Sequence, residues 1–317
     1  MVSAPCGRGG IQARPLLDDR LVQGTGESLP LQGGNVQSMT TALVTGADGF
    51  IGCHLVDALS AGDTVVHRHS KRDGDVSDEE TWRRLPSADV LIHLAAQSGV
   101  LKSWEAPTDF VRSNCLGVAR ALEYSRRHRS KMILISSYLY GDSGSTALAE
   151  TAPIEIRNPY ALTKRFSEQL CGLYIEQHGV DVRILRPFNV YGPRQSREFL
   201  IPMLIHQAVK HGRVVVNDLE PRRDFLHVDD LVAAIIKSIH YTGPHQVFNI
   251  GTGRSHSVLD VIRILETHLG HHLEVINQGR RRPGEIMDTV ADVTLARREL
   301  GWEPTLSLVD GLSRMIK

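Results

Sequence analysis

Tyr160 and Lys164 stand four residues apart in the stretch Asn158-Pro159-Tyr160-Ala161-Leu162-Thr163-Lys164. On a helix, positions i and i+4 lie one above the other, so the phenol and the ammonium can point into one site. A free tyrosine titrates near pH ~10 and is a poor acid or base at neutrality. A cation beside it stabilises the phenolate, and lowering its pKa by roughly three units takes about 4 kcal/mol. The spacing alone also describes an exposed helix pair, so its meaning depends on what else the chain carries.

The run Thr45-Gly46-Ala47-Asp48-Gly49-Phe50-Ile51-Gly52 follows a short apolar segment and opens a helical pattern. Glycines at these places permit a tight turn and let the backbone approach a pyrophosphate. That group rests on amides at the helix N-terminus, where the macrodipole favours anions. A strand before and a helix after form the context in which a glycine-rich loop binds a dinucleotide. An oxidised nicotinamide held by this loop would add to the field of Lys164 on Tyr160.

The elements that must position these groups alternate. Short β-branched runs occur at 42–45, 64–67, 90–93, 132–136 and 182–185, with helical stretches at 51–61, 109–127 and 159–178. Apolar strands separated by amphipathic helices indicate βαβ units and a parallel sheet buried on both faces. With right-handed crossovers the fold class is α/β, a doubly wound parallel (Rossmann) sheet. After Arg186 the regularity weakens, with helices expected at 199–211, 229–240, 258–269, 294–300 and 308–317 and strands at 214–216 and 247–250. The expected organisation is a dinucleotide-binding domain over 39–186 and a smaller, partly interleaved substrate lobe over 187–317. Residues 1–38 are rich in Gly, Gln, Ser and Pro without periodicity, and Met39 stands just before the first strand. They read as a disordered extension or a mis-assigned start.

Composition narrows the class. The 317 residues are 41% apolar and 23% charged, with Lys+Arg and Asp+Glu both at 36, so no basic excess points to nucleic acid. No apolar run reaches the ~20 residues of a membrane span. Cys6, Cys53, Cys115 and Cys171 are widely spaced and read as reduced thiols of a cytoplasmic protein. The histidines at 67 and 69 and at 268, 271 and 272 lack acidic or cysteine partners, so no metal is expected.

The segments Thr45–Gly52, His93-Leu94-Ala95-Ala96-Gln97, Ser136-Ser137-Tyr138-Leu139-Tyr140-Gly141 and Tyr160…Lys164 are followed by Arg186-Pro187-Phe188-Asn189-Val190-Tyr191-Gly192-Pro193. Arg223-Asp224-Phe225, Phe248-Asn249-Ile250-Gly251 and Arg282-Pro283-Gly284-Glu285 complete the series. In this order, across almost all of 41–317, they resemble the extended short-chain dehydrogenase/reductase (NAD-dependent epimerase/dehydratase) family, which acts largely on nucleotide sugars. The resemblance implies that Tyr160 and Lys164 are the catalytic pair and Ser136 the hydroxyl that polarises the sugar C4 oxygen. It places Gly46, Asp48, Gly49, Phe50, Ile51, Gly52, Asp75, Val76, Leu94, Ala95, Ala96, Pro187 and Val190 around the cofactor. Ser98, Ser137, Tyr138, Asn189, Arg223 and Arg282 fall on the substrate side, the last three toward the diphosphate. A homodimer through the helices near 109–127 and 159–178 is implied by analogy.

The second strand should end over the adenosine ribose, where NAD enzymes place an acid and NADP enzymes an arginine. Here His67-Arg68-His69-Ser70-Lys71-Arg72 contains no acid. Arg68 can take a 2′-phosphate bidentately, with Lys71 or Arg72 adding charge; a solvated basic turn is the other reading. NADP(H) is therefore favoured, with NAD(H) possible. Dehydratases resembling this chain carry Asp-Glu where Ser137 and Tyr138 stand, and decarboxylating members carry a glutamate. The chemistry left needs only a hydride and one proton. The leading expectation is NADPH-dependent reduction of an NDP-4-keto-6-deoxyhexose. An NDP-sugar 4-epimerase with tightly bound NAD and a non-catalytic NADP-binding sensor are the alternatives. Tyr138 either contacts sugar or packs.

Overall fold

The computed structural model describes residues 39–144, 146–281 and 284–316. Expectations for 1–38 and for Arg282 fall outside the described residues. Strands β1 (Thr41–Thr45), β2 (Val65–His69), β3 (Val90–His93), β4 (Lys131–Ile135), β5 (Val182–Pro187) and a later strand, Val247–Ile250, form one parallel sheet. Its order is β2-β1-β3-β4-β5 with Val247–Ile250 outermost. The order reverses between β1 and β3, the point where doubly wound sheets bind ligands at their carboxyl edge. The sheet is the Rossmann-type one expected.

Apolar character is continuous in the inner strands because helices cover both faces. Alternate side chains go opposite ways. Ala42, Val44, Val90, Ile92, Ile133 and Ile135 pack on one face, against the helices Phe50–Ser60 (α1) and Val228–His240. Leu43, Leu91, Met132, Leu134, Val182 and Ile184 pack on the other, against Gly117–His128 and Pro159–His178.

The segment after β3 differs from the single helix expected at 109–127. A short helix, α2 (Glu79–Arg84), already lies before β3; after it, α3 (Val100–Glu105) and α4 (Pro107–Phe110) precede six residues wound in the wider π geometry, Val111–Leu116, which run into α5 (Gly117–His128). The wide turn brings Asn114 inward, where it accepts from Gln97 N at 2.8 Å and donates to Thr163 Oγ1 at 3.0 Å. Such turns interrupt helices most often at functional places.

The helix that carries Tyr160 and Lys164, α6 (Pro159–His178), begins where expected for a local reason. Asn158 caps it by accepting from Ala161 N at 2.9 Å, and Pro159 occupies the first turn. It ends at Gly179, whose φ of 64° suits a residue without Cβ.

Beyond β5 come β6 (Asn189–Tyr191), α7 (Leu200–His211), β7 (Arg213–Val216), β8 (Arg222–His227), α8 (Val228–His240) and β9 (Val247–Ile250). They are followed by β10 (Ser255–Ser257), α9 (Val258–Leu269), β11 (Glu274–Asn277), α10 (Thr294–Leu300) and α11 (Leu308–Met315). Strands β10, β8 and β6 form a second sheet, and β11 pairs with β7. Of these, β6, β8, β10 and β11 carry no clear two-residue alternation, which is why sequence pattern missed them. A separate apolar cluster with Leu204, Phe225, Val261, Ile262 and Leu312 holds this part together. Among the described residues, no helix is long and apolar enough to cross a membrane.

Candidate active site

The glycine loop turns out of β1 at Gly46, whose φ is +72°. A Cβ there would lie 2.8 Å from Ala95 N, and one on Gly52 would lie 2.1 Å from Gly46 O. Sterics therefore demand glycine at both positions. Gly49 caps α1 without any side-chain hydrogen bond, and no acid occupies the first turn. The amides of Phe50 and Ile51 thus head a helix whose positive end is unopposed by protein charge in that turn. This is a cradle that fits a dinucleotide pyrophosphate.

The rest of the expected cofactor set lies around it. Leu94 N donates to Thr45 O at 3.1 Å, and Ala95 N reaches Thr45 Oγ1 at 3.4 Å, so 94–96 border the loop. Asp75 accepts from Ser77 N and Oγ at 2.9 and 2.8 Å, contacts that hold its carboxyl below the usual carboxylate range. Val76 is 7% exposed and packs into the core, so that residue shapes the wall from behind. Pro187 is buried at the end of β5, and Val190 is half-buried in β6 with its carbonyl accepting from Gln195 Nε2 at 2.9 Å. Arg68 lies in β2, which runs two residues beyond the expected end, and its Nη2 donates to Asp48 Oδ1 at 2.9 Å.

Helix α6 presents Tyr160 and Lys164 together, as the spacing requires. Lys164 Nζ donates to Ile135 O at 2.8 Å and lies 5.9 Å from the centre of the Tyr160 ring. Burial lowers the Lys164 ammonium to about 8, and the charge of Glu168 works the other way. Burial pushes the Tyr160 phenol up to about 12, and the neighbouring Ser137 hydroxyl works the other way. Ser137 is thus the hydroxyl beside Tyr160. Ser136 is 3% exposed and donates instead to Glu168 Oε1 at 2.7 Å.

Glu168 belongs to a buried network that sequence reasoning missed. Arg186 grips it with Nε at 2.8 Å and Nη2 at 2.6 Å, while Nη1 donates to the Tyr140 hydroxyl at 2.7 Å. That hydroxyl donates to Asn249 Oδ1 at 2.7 Å. The signal available was Glu168 itself, four residues past Lys164 on the same helix face.

Of the residues expected to meet substrate, Asn189 is half-buried and its Nδ2 has no partner among the described residues. An amide so placed suits a ligand oxygen. Arg223 is already engaged: it pairs with Glu285 and donates to Ile286 O at 2.7 Å. Ser98 is exposed just before α3. Tyr138 stacks on Phe188 with centroids 5.2 Å apart and planes 20° off parallel, and its residue remains half-exposed. Packing is therefore one of its roles.

A model of the NAD dependent epimerase/dehydratase family matches residues 42–251. A putative UDP-glucose 4-epimerase of Methanocaldococcus jannaschii is 30% identical over 298 residues, 86% of this chain and 96% of its own. The GDP-6-deoxy-D-mannose reductase of Pseudomonas aeruginosa is 30% identical over 292 residues, 86% of this chain and 95% of its own. The solved structure of RMD from Pseudomonas aeruginosa complexed with NADPH superposes with a TM-score of 0.80 at 26% identity, over 87% of this chain and 97% of that one. The chain belongs to the NAD dependent epimerase/dehydratase family. A nicotinamide dinucleotide is accordingly the cofactor, and the relatives' names are those of nucleotide-sugar enzymes. Both epimerase and reductase occur among them, so family membership leaves the reaction itself to the chemistry of the site.

Proposed function

We propose that the protein reduces the C4 ketone of a nucleotide-diphosphate 4-keto-6-deoxyhexose, with Tyr160 as proton donor and NADPH as the favoured reductant. The observation that carries this reading is the phenol of Tyr160, held neutral by burial beside Lys164 and Ser137. A neutral phenol is the form that gives a proton to an alkoxide as it develops. The bound dinucleotide supplies the hydride. Lys164, still largely charged at neutrality with its pKa near 8, stabilises the phenolate left behind. Ser137 stands where a hydroxyl steadies the same oxygen, and Ser136 orders Glu168 from behind. No carboxylate stands at 137 or 138 to eliminate water. Asn189 and, after release from Glu285, Arg223 would take the diphosphate.

A 4-epimerase is the second reading, favoured by the Methanocaldococcus relative. Its residues would work in both directions while the cofactor stays bound. The deciding experiment adds an NDP-4-keto-6-deoxyhexose to freshly purified protein with NADPH and follows absorbance at 340 nm. Stoichiometric NADPH consumption supports reduction. Retained NAD whose redox state is constant through turnover refutes it. Tyr160→Phe should abolish turnover and leave dinucleotide binding intact.

We further propose a homodimer through the outer faces of α6 and the π-wound turn. Leu162, Phe166 and Leu173 on α6, and Val111 and Leu116 on the turn, are exposed apolar side chains. Light scattering of the full chain and of Phe166→Glu tests this. A monomeric wild type would overturn it.

A further inference from the structure

Asp48 and Arg68 are 20 residues apart in sequence, in the glycine loop and at the end of β2, yet they form an ion pair at 2.9 Å. The main chain brings them together. In the β1–β2 register Val44 faces Arg68 and Thr45 faces His69, and Ala47 N then donates to His69 O at 3.1 Å. The turn that leaves β1 is thereby stitched to the last residue of β2. Asp48, next in the turn, reaches the guanidinium of Arg68.

The loop and the end of β2 flank the adenosine half of a dinucleotide: one takes the pyrophosphate and the other the ribose. An acid at the end of β2 favours ribose hydroxyls, and this strand has none. The acid comes from the loop instead. Arg68 has no other acidic partner among the described residues.

We propose that Asp48 is a specificity-determining residue for the cofactor, narrowing the preference for a 2′-phosphorylated dinucleotide that Arg68 alone would create. This rests on the reading of the cleft in which Arg68 lies at the ribose. A 2′-phosphate needs the guanidinium face that Asp48 now holds. It also brings a charge of about −1.5 to −2 up to a carboxylate left unpaired. A ribose without the phosphate meets neither cost, and its hydroxyls are donors to the Asp48 carboxylate. Both side chains are more than two-fifths exposed, 57% for Arg68 and 43% for Asp48, so screening keeps the effect moderate.

The test is calorimetric titration of the full chain with NAD⁺ and with NADP⁺ at low salt, for wild type, Asp48→Asn, Arg68→Ala and the double variant. Asp48→Asn should shift the ratio of the two dissociation constants about tenfold toward NADP⁺. That shift should shrink in 0.5 M salt and largely vanish when Arg68 is already alanine. An unchanged ratio in Asp48→Asn, with Arg68→Ala still weakening NADP⁺, overturns the proposal alone. The full shift persisting without Arg68 overturns the pairing as its cause. An Arg68→Ala variant that binds NADP⁺ like wild type removes the placement of Arg68 at the ribose, and the proposal with it.

Discussion

Protonating His93 should cost this protein stability in a pH window set by its burial. His93 ends β3, is 2% exposed, and is hydrogen-bonded through Nδ1 to Thr45 Oγ1 at 2.9 Å. Burial, with the charge of Lys164 and the neighbouring His69 adding to it, lowers its pKa from 6.5 to about 3. For a base whose folded pKa is depressed, the unfolded chain binds protons more readily. Stability is then full above pH ~6.5 and is lost as pH falls toward 3. At pH 5.5 the unfolded imidazole is about 90% protonated and the folded one almost neutral, a loss of about 1.4 kcal/mol. For a chain of this size that lowers the melting temperature by about 3 °C. The assay compares thermal melts at pH 7.5 and 5.5 for wild type and His93→Gln. Other buried histidines such as His69 and His227 titrate in both proteins and largely cancel. Wild type should drop about 3 °C further than His93→Gln between the two pH values. Equal drops would refute the assignment of a neutral, buried imidazole under the cofactor loop.

Gly46→Ala forces a Cβ to 2.8 Å from Ala95 N at a φ of +72°, so it should lose about 1–3 kcal/mol and most of its dinucleotide affinity, read by melts and titration. Removing Arg186 as Arg186→Met strands the buried Glu168 carboxylate and should cost about 3–5 kcal/mol in denaturant unfolding, with Arg186→Met/Glu168→Leu recovering most of it. Ser137→Ala should lower kcat by about tenfold or more with a normal melt, whereas Ser136→Ala should mainly cost about 1–2 kcal/mol of stability through its bond to Glu168. If Ser136→Ala alone removes turnover, the assignment of the phenol's partner is reversed.

Much of the architecture was legible because it is local. Gly46–Gly52 between a strand and a helix, and Tyr160 one turn before Lys164, are signals complete within eight residues. The inner strands announced themselves because burial on both faces removes polar residues from them. Residues 109–127 were less readable: the periodicity marked a helix but not the wide turn that aims Asn114 at Gln97 and Thr163. Strands β6, β8 and β10 escaped because three to six residues, mostly polar or charged in β8 and β10, carry no alternating pattern.

Spacing and residue type sufficed for the fold class, the glycine turn between β1 and α1, and the placement of Tyr160 and Lys164 on one helix face, since helix geometry carries i to i+4 whatever surrounds it. Where the hydroxyls and charges point was settled only by packing across long separations. Ser136 turns toward Glu168, 32 residues away, because Arg186 on β5 fixes that carboxylate. Ser137 is left to the phenol. Arg68, which looked free in the sequence, meets Asp48 because β1 and β2 lie in register. Such directions depend on which strands are neighbours, and neighbours in a parallel sheet are far apart along the chain.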